Sequence, residues 1–260
     1  MAKTVPLSLS VGGGSRGGAS SSSHGGGASI TMDHQMQVAE QLVLNLRYHV
    51  RRERALLELS KVYSSHFNDL LSASIPSYLY PFLVTRSKSR PFEYLRLSSL
   101  GVIGALVKAD DTEVIRALLS PEIILSFLRS MDIGCELSKT VATFILQKLL
   151  LDDMGLDYIC TRAVKFFDVA QVLGSMVGEL VEQPSSRLLK YIIRCYLRLS
   201  DNQRACDALR TCLPDMLRDT TFNSCLREDP VTRMWLQELL QKVNGNLVAL
   251  QTGGSLNRIH

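Results

Sequence analysis

The chain has 260 residues, nearly half of them apolar, which is enough for one large buried core or two small ones. Its formal charge is +4, and Lys3 and Arg16, both near the start, supply two of those charges. The remaining excess of about +2 does not mark a nucleic-acid protein, so only the arrangement of the basic residues bears on that question. No stretch approaches the roughly eighteen uninterrupted apolar residues of a membrane-spanning helix, and no membrane partner is expected.

Residues 1–32 hold runs such as Gly12-Gly13-Gly14, Ser20 to Ser23 and Gly25-Gly26-Gly27. With almost nothing to bury, such a tract cannot offset the entropy of ordering its backbone, and a disordered tail is expected rather than a targeting peptide. The folded part is expected over 33–245, with 246–260 as a flexible C-terminal tail. From about residue 36 the pattern is helical and strand signals are nearly absent. Segment 91–108 (PFEYLRLSSLGVIGALVK) opens with Pro at a plausible first helical position and is apolar on most sides. Segments 136–152 (ELSKTVATFILQKLLLD) and 185–200 (SSRLLKYIIRCYLRLS) have the same character, so each is expected to be covered on several sides within a layered stack.

Each long helix is followed by an Asx break suited to N-capping: Asp110-Asp111, Asp152-Asp153 and Asp201-Asn202. Shorter amphipathic segments follow, EVIRALLS, LDYICTRA and RACDALRT. After two of them, Pro121 and Pro214 open a further predicted helix, IILSFLRS and MLRDTTF. The unit recurs every forty to fifty residues, the period of armadillo and HEAT repeats, and it predicts an all-α, right-handed helical solenoid with one extended groove.

Candidate chemistry is sparse. The region after the tail has only His34, His49, His66 and His260, and no H-E-x-x-H, G-x-S-x-G or phosphate-cradling glycine loop. No catalytic site, metal or cofactor is expected. Gly101 and Gly104 form a G-x-x-G inside an apolar helix, where close helix packing is the better reading. Cys135, Cys160, Cys195, Cys206, Cys212 and Cys225 include no C-x-x-C pair and are expected to be reduced thiols, most of them core or half-buried. Tyr78, Tyr80, Phe82, Phe92 and Tyr94 cluster around Pro81 and Pro91 and are expected to anchor a helix corner. Arg187, Lys190, Arg194 and Arg198 fall within a stripe of roughly 80° on one helix. That stripe reads either as a solvated face or as a basic groove for phosphates or acidic peptides. Arg204 and Arg210 follow it, Arg86, Lys88, Arg90 and Arg96 form an earlier basic group, and Asp201, Asp207, Asp215 and Asp219 are placed to neutralise part of the charge.

Six stretches together resemble one family: RERALLELSK (52–61), YLYPFL (78–83), SRPFEYLRLSSLGVIGALVK (89–108), ELSKTVATFILQKLLLDD (136–153), RLLKYIIRCYLRLSDN (187–202) and CLPDMLRDTTF (212–222). They span nearly all of 51–243 and are similar to the Rcd-one-type cell-differentiation family, the armadillo subunit of the CCR–NOT mRNA deadenylase complex. The resemblance implies a non-catalytic adaptor in mRNA decay and translational repression, found in the cytoplasm, in mRNA-decay foci and in the nucleus. Its implied partners are the NOT scaffold subunit and tryptophan-containing or short helical peptides of silencing factors. Single-stranded nucleic acid binding and self-association as a homodimer are further implied properties.

Two departures from the family pattern bear on those expectations. Where the family carries an aromatic and an arginine after LDD-x-GL-x-YIC, in a tryptophan pocket, this chain has Ala163 and Lys165. Arg204 and Ala208 match the other side within SDN-x-R-A-x-x-A. The implied partner-peptide pocket is therefore Lys165, Arg204 and Ala208, with a weakened hold because Ala163 has no ring to stack. The long helical stretch that the family places between LELSK and YLYPFL is also missing, since Lys61 runs almost directly into VYSSHFNDLLSASIP (62–76). The solenoid is thus expected to be shortened near its N-terminal end, with weaker docking on the scaffold.

Overall fold

Helix is the only regular structure among the described residues, as the 3.6-residue apolar periodicity requires. The computed structural model of the chain describes a few positions between 38 and 48, then residues 49–62, 79–108 and 110–252. The expected Gly/Ser tail, Tyr78 and most of the 62–76 segment lie outside the described residues. Helices are α1 (His49–Val62), α2 (Arg90–Val107), α3 (Thr112–Leu118), α4 (Pro121–Ile133), α5 (Glu136–Leu151) and α6 (Asp153–Cys160). They continue with α7 (Ala163–Glu182), α8 (Ser186–Leu199), α9 (Gln203–Cys212), α10 (Asn223–Arg227) and α11 (Pro230–Thr252), which runs beyond the expected boundary at 245.

The predicted breaks are caps. Asp111 accepts from the Glu113 backbone N–H at 2.8 Å, Asp152 from Met154 at 2.9 Å and Asn202 from Ala205 at 3.1 Å. Each satisfies a donor that the helix itself leaves unpaired. Helices α2, α5, α8 and α11 begin at Arg90, Glu136, Ser186 and Pro230, forty-four to fifty residues apart, matching the predicted period.

These long helices stack side by side in chain order, α1 on α2, α2 on α5, α5 on α8 and α8 on α11. Helices α4 and α7 form a second layer over them, and the short α3, α6 and α9 close one edge. The arrangement is a helical solenoid. Its core lies between the layers, where Phe127 and Met131 of α4, Ile145 and Leu149 of α5 and Val169 and Leu173 of α7 are all but inaccessible. Burying an apolar side chain of that size stabilises the fold by about 1.5–3 kcal/mol. Polar bonds also cross the layers: the Tyr196 hydroxyl of α8 donates to the carbonyl of Ala170 in α7 at 3.2 Å, and Lys139 of α5 pairs with Glu179 of α7.

Four expectations need correction. The segment MLRDTTF is not a helix. After Pro214 the chain makes a 3-10 turn over Asp215–Leu217 and then irregular turns, because Asp219 accepts from the Thr221 N–H at 2.8 Å and competes with helical bonding. The aromatic cluster divides: Tyr80 and Phe82 pack against the core, whereas Phe92 and Tyr94 are 46% and 45% exposed on the first turn of α2. Arg96 does not belong with the exposed basic residues. It is fully buried and holds the segment 84–89 against α2, donating to the carbonyls of Thr85 at 2.8 Å and Ser87 at 3.1 Å while pairing with Glu93. Of the two glycines, Gly104 meets Val141 of α5 at ordinary contact distance, but a side chain at Gly101 would meet only open space.

Candidate functional site

That open space is a groove on the face of the long-helix layer turned away from α4. It encloses about 430 Å³ and is floored by Gly101, Gly104 and Ala105 of α2 and by Leu137, Val141 and Phe144 of α5. Tyr191 of α8 closes the far wall, its ring centroid 5.6 Å from that of Phe144 and tilted by 54°. Small residues on α2 make the depth, since any larger side chain there would fill it. Lys108 and Arg187 stand at its rim, and both are exposed. An apolar floor with a cationic rim suits the apolar face of a short helix that also carries acidic residues.

Helix α8 supplies the predicted basic stripe, and its other side is buried as the sequence requires, through Leu188, Ile192, Cys195, Tyr196 and Leu199. Three of the four cations are engaged within the chain. Lys190 donates to Asp229 at 2.8 Å. That hydrogen bond, with those from the Thr232 backbone and side chain, brings the Asp229 carboxyl down to about 2. The Arg194 guanidinium lies 4.8 Å from the ring centroid of Trp235, a cation–π contact. Arg198 donates to the Leu150 carbonyl at 3.0 Å, to Asp201 at 2.9 Å and to Asp153. Arg187 is the member left at the groove. The role of Trp235, the sole tryptophan, was not legible because α8 and α11 are brought together only by the stack.

On the second layer, a small cavity of about 100 Å³ is lined by Pro121, Ile124, Leu125 and Leu128 of α4 together with Tyr158, Lys165 and Asp168. Lys165 lies across Tyr158, its Nζ 3.2 Å from the ring centroid and 3.3 Å from the Tyr158 carbonyl to which it donates. Leu125, Val164 and Phe167 are exposed nearby in sequence on the same two helices. Arg204 is exposed and Ala208 half-buried on α9, which packs against α7; neither lines this cavity. Ala163 is exposed as the first residue of α7.

Among the described residues no group of three or more His, Cys, Asp or Glu side chains is gathered as a metal site. Cys160, Cys195 and Cys206 are buried, and burial pushes the Cys160 thiol up to about 11, so it stays protonated.

Comparison with known proteins places these features in context. The cell differentiation family described as Rcd1-like matches residues 64–243. The chain is 61% identical over 170 residues to the cell differentiation protein rcd1 of Schizosaccharomyces pombe, covering 65% of this chain and 60% of that protein. It is 49% identical over 212 residues to the protein CAF40 of Saccharomyces cerevisiae, covering 81% of this chain and 57% of that protein. The chain thus spans about three fifths of the length of these curated relatives.

Proposed function

This chain belongs to the Rcd1-like cell differentiation family, and from that premise we propose that it is a non-catalytic adaptor subunit of a CCR–NOT-type mRNA deadenylase complex. Its work in this reading is to hold short segments of regulatory proteins near the enzyme, in mRNA decay and translational repression. The observation that carries the reading is the groove across α2, α5 and α8, an apolar floor of Leu137, Val141 and Phe144 under a rim of Lys108 and Arg187. A short amphipathic helix with acidic flanks is the partner it fits. The cavity beside Lys165 is a second, weaker hold for a tryptophan-containing peptide, because Lys165 already covers Tyr158 and Ala163 adds no ring. Docking on the NOT scaffold subunit places the adaptor within the complex, and cytoplasm and nucleus are its proposed locations.

A second reading, single-stranded nucleic acid along α8, draws support from Arg187 and Arg194. The charges of Lys190 and Arg198 are met by Asp229, Asp153 and Asp201, which leaves little for phosphates.

Gly101→Phe separates these readings. The ring enters open space, so thermal unfolding should match the parent, while capture of acidic helical peptides should fall at least tenfold. Co-purification with the NOT scaffold subunit should be unchanged. Peptide capture equal to the parent, or failure of both proteins to retain any subunit of the complex, would refute the adaptor reading. Oligonucleotide binding with a steep salt dependence, lost on Arg187→Glu and Arg194→Glu, would establish the second.

A further inference from the structure

We propose that Ser89 is a phosphorylation site for an arginine-directed serine/threonine protein kinase, and that its phosphate is held by the basic strap in which it sits. Such kinases select a serine or threonine with an arginine three residues before it, because the fork of a free guanidinium docks bidentately on the kinase's carboxylates. Among the described residues that spacing occurs three times. Arg96 and Ser99 are both fully buried. Arg218, three before Thr221, already donates to the carbonyls of Leu209 and Arg210 and to Asn244. Arg86 and Ser89 are both exposed, and Arg86 makes no hydrogen bond or ion pair among the described residues.

The fold presents this pair in the form a kinase needs. Residues 85–88 have no regular structure, and the strap is fixed from below: Arg96 holds the carbonyls of Thr85 and Ser87, and Arg129 donates to that of Val84 at 3.2 Å. Those bonds turn the backbone acceptors inward and leave the side chains of Arg86, Lys88, Ser89 and Arg90 outward, all exposed. Although Ser89 stands at the cap position of α2, its side chain makes no bond to the helix; instead the Ser87 hydroxyl donates to it at 3.0 Å. The acceptor oxygen is therefore not committed to the fold.

In the reaction the γ-phosphoryl group of ATP passes to Ser89 Oγ. The Oγ–P bond forms as the bond to the ADP oxygen breaks, and the hydroxyl proton leaves to the kinase's base. The product carries a charge of about −2 among Arg86, Lys88 and Arg90, beside the first-turn N–H groups of α2. Phosphorylation therefore both closes the start of α2 and removes most of the positive charge of this edge.

The test is to treat the folded, full-length chain with ATP and an arginine-directed kinase and to map the phosphate by peptide mass spectrometry. One phosphate on Ser89, none in Ser89→Ala, and a labelling rate at least tenfold lower in Arg86→Ala are expected. The phosphorylated chain should melt a few degrees higher than the unmodified chain at low salt, with the difference shrinking as salt is added. Labelling elsewhere, labelling of Ser89 only after heat denaturation, or equal rates for the parent and Arg86→Ala would overturn the assignment of the site. A melting temperature unchanged or lowered by the phosphate would overturn its capture by the strap.

Discussion

Asp229 joins two functions in one side chain. One oxygen accepts from the Thr232 N–H at 3.0 Å and caps α11, while the other receives Lys190 from α8 at 2.8 Å. Asp229→Ala should therefore lower stability by about 1–2 kcal/mol, in the range of a lost cap, as read from urea unfolding. The carboxyl is brought from its ordinary 3.8 to about 2 by Lys190 and the two Thr232 donors. A depressed value means that the ionised form favours the folded state. This contribution is complete above about pH 4 and is lost as pH falls towards 2. The advantage of the parent over Asp229→Asn should shrink across that window, and an advantage that is constant from pH 5 to pH 2 would refute the assignment. Caps of this kind were partly legible beforehand: Asp111, Asp152 and Asn202 follow long apolar helices and were expected to cap the next. Asp229 was not picked out, because its cationic partner lies thirty-nine positions away and is supplied by the stack.

At the scale of an element, the strap 84–89 shows what periodicity leaves hidden. Arg96 falls in an apolar helix and was grouped with exposed bases, yet it is fully buried with the carbonyls of Thr85 and Ser87 and the carboxylate of Glu93 as partners. Those partners are mostly backbone, and backbone acceptors leave no mark in a sequence. Glu93 is itself coupled further. Burial works against its ionisation, but hydrogen bonds from Ser138 and Cys135 and the charge of Arg96 outweigh it, so its carboxyl sits below the ordinary value. Arg96→Met should cost about 3–5 kcal/mol, because it takes from the Glu93 carboxylate its charged partner and leaves two carbonyls without their donor. Limited proteolysis should then cut the chain within 84–89 at concentrations of protease that spare the parent. The long helices, by contrast, were legible from composition alone, since their apolar residues cover most of each surface. The stretch after Pro214 was misread because its leading Met-Leu pair looks helical while Asp219 and two threonines enforce turns.

Across the whole molecule, successive repeats are tied along one edge by charge as well as by apolar contact. Asp153 of α6, Arg198 of α8, Asp201 and Lys242 of α11 form a continuous chain of pairs, extended to Glu238. Its members are partly exposed, and Asp153 almost fully so, so Asp201→Asn should cost only about 0.5–1 kcal/mol, and less at 1 M salt than at 0.05 M. Equal effects at both salt concentrations would show that the chain of pairs contributes nothing. The architecture itself was legible from the repeated spacing of long helix and Asx break. The groove was not, since Gly101, Phe144 and Tyr191 come from three repeats and converge only when the layer is assembled. The ion pairs that join α8 and the turn after it to the α11 end of the chain have a consequence for biosynthesis. A ribosome delivers α8 well before α11, so the growing chain displays Lys190 and Asp201 while Asp229 and Lys242 are still untranslated. Lys190 therefore gains its carboxylate only when Asp229 and α11 emerge, whereas Asp201, already paired with Arg198, then takes Lys242 as a second partner.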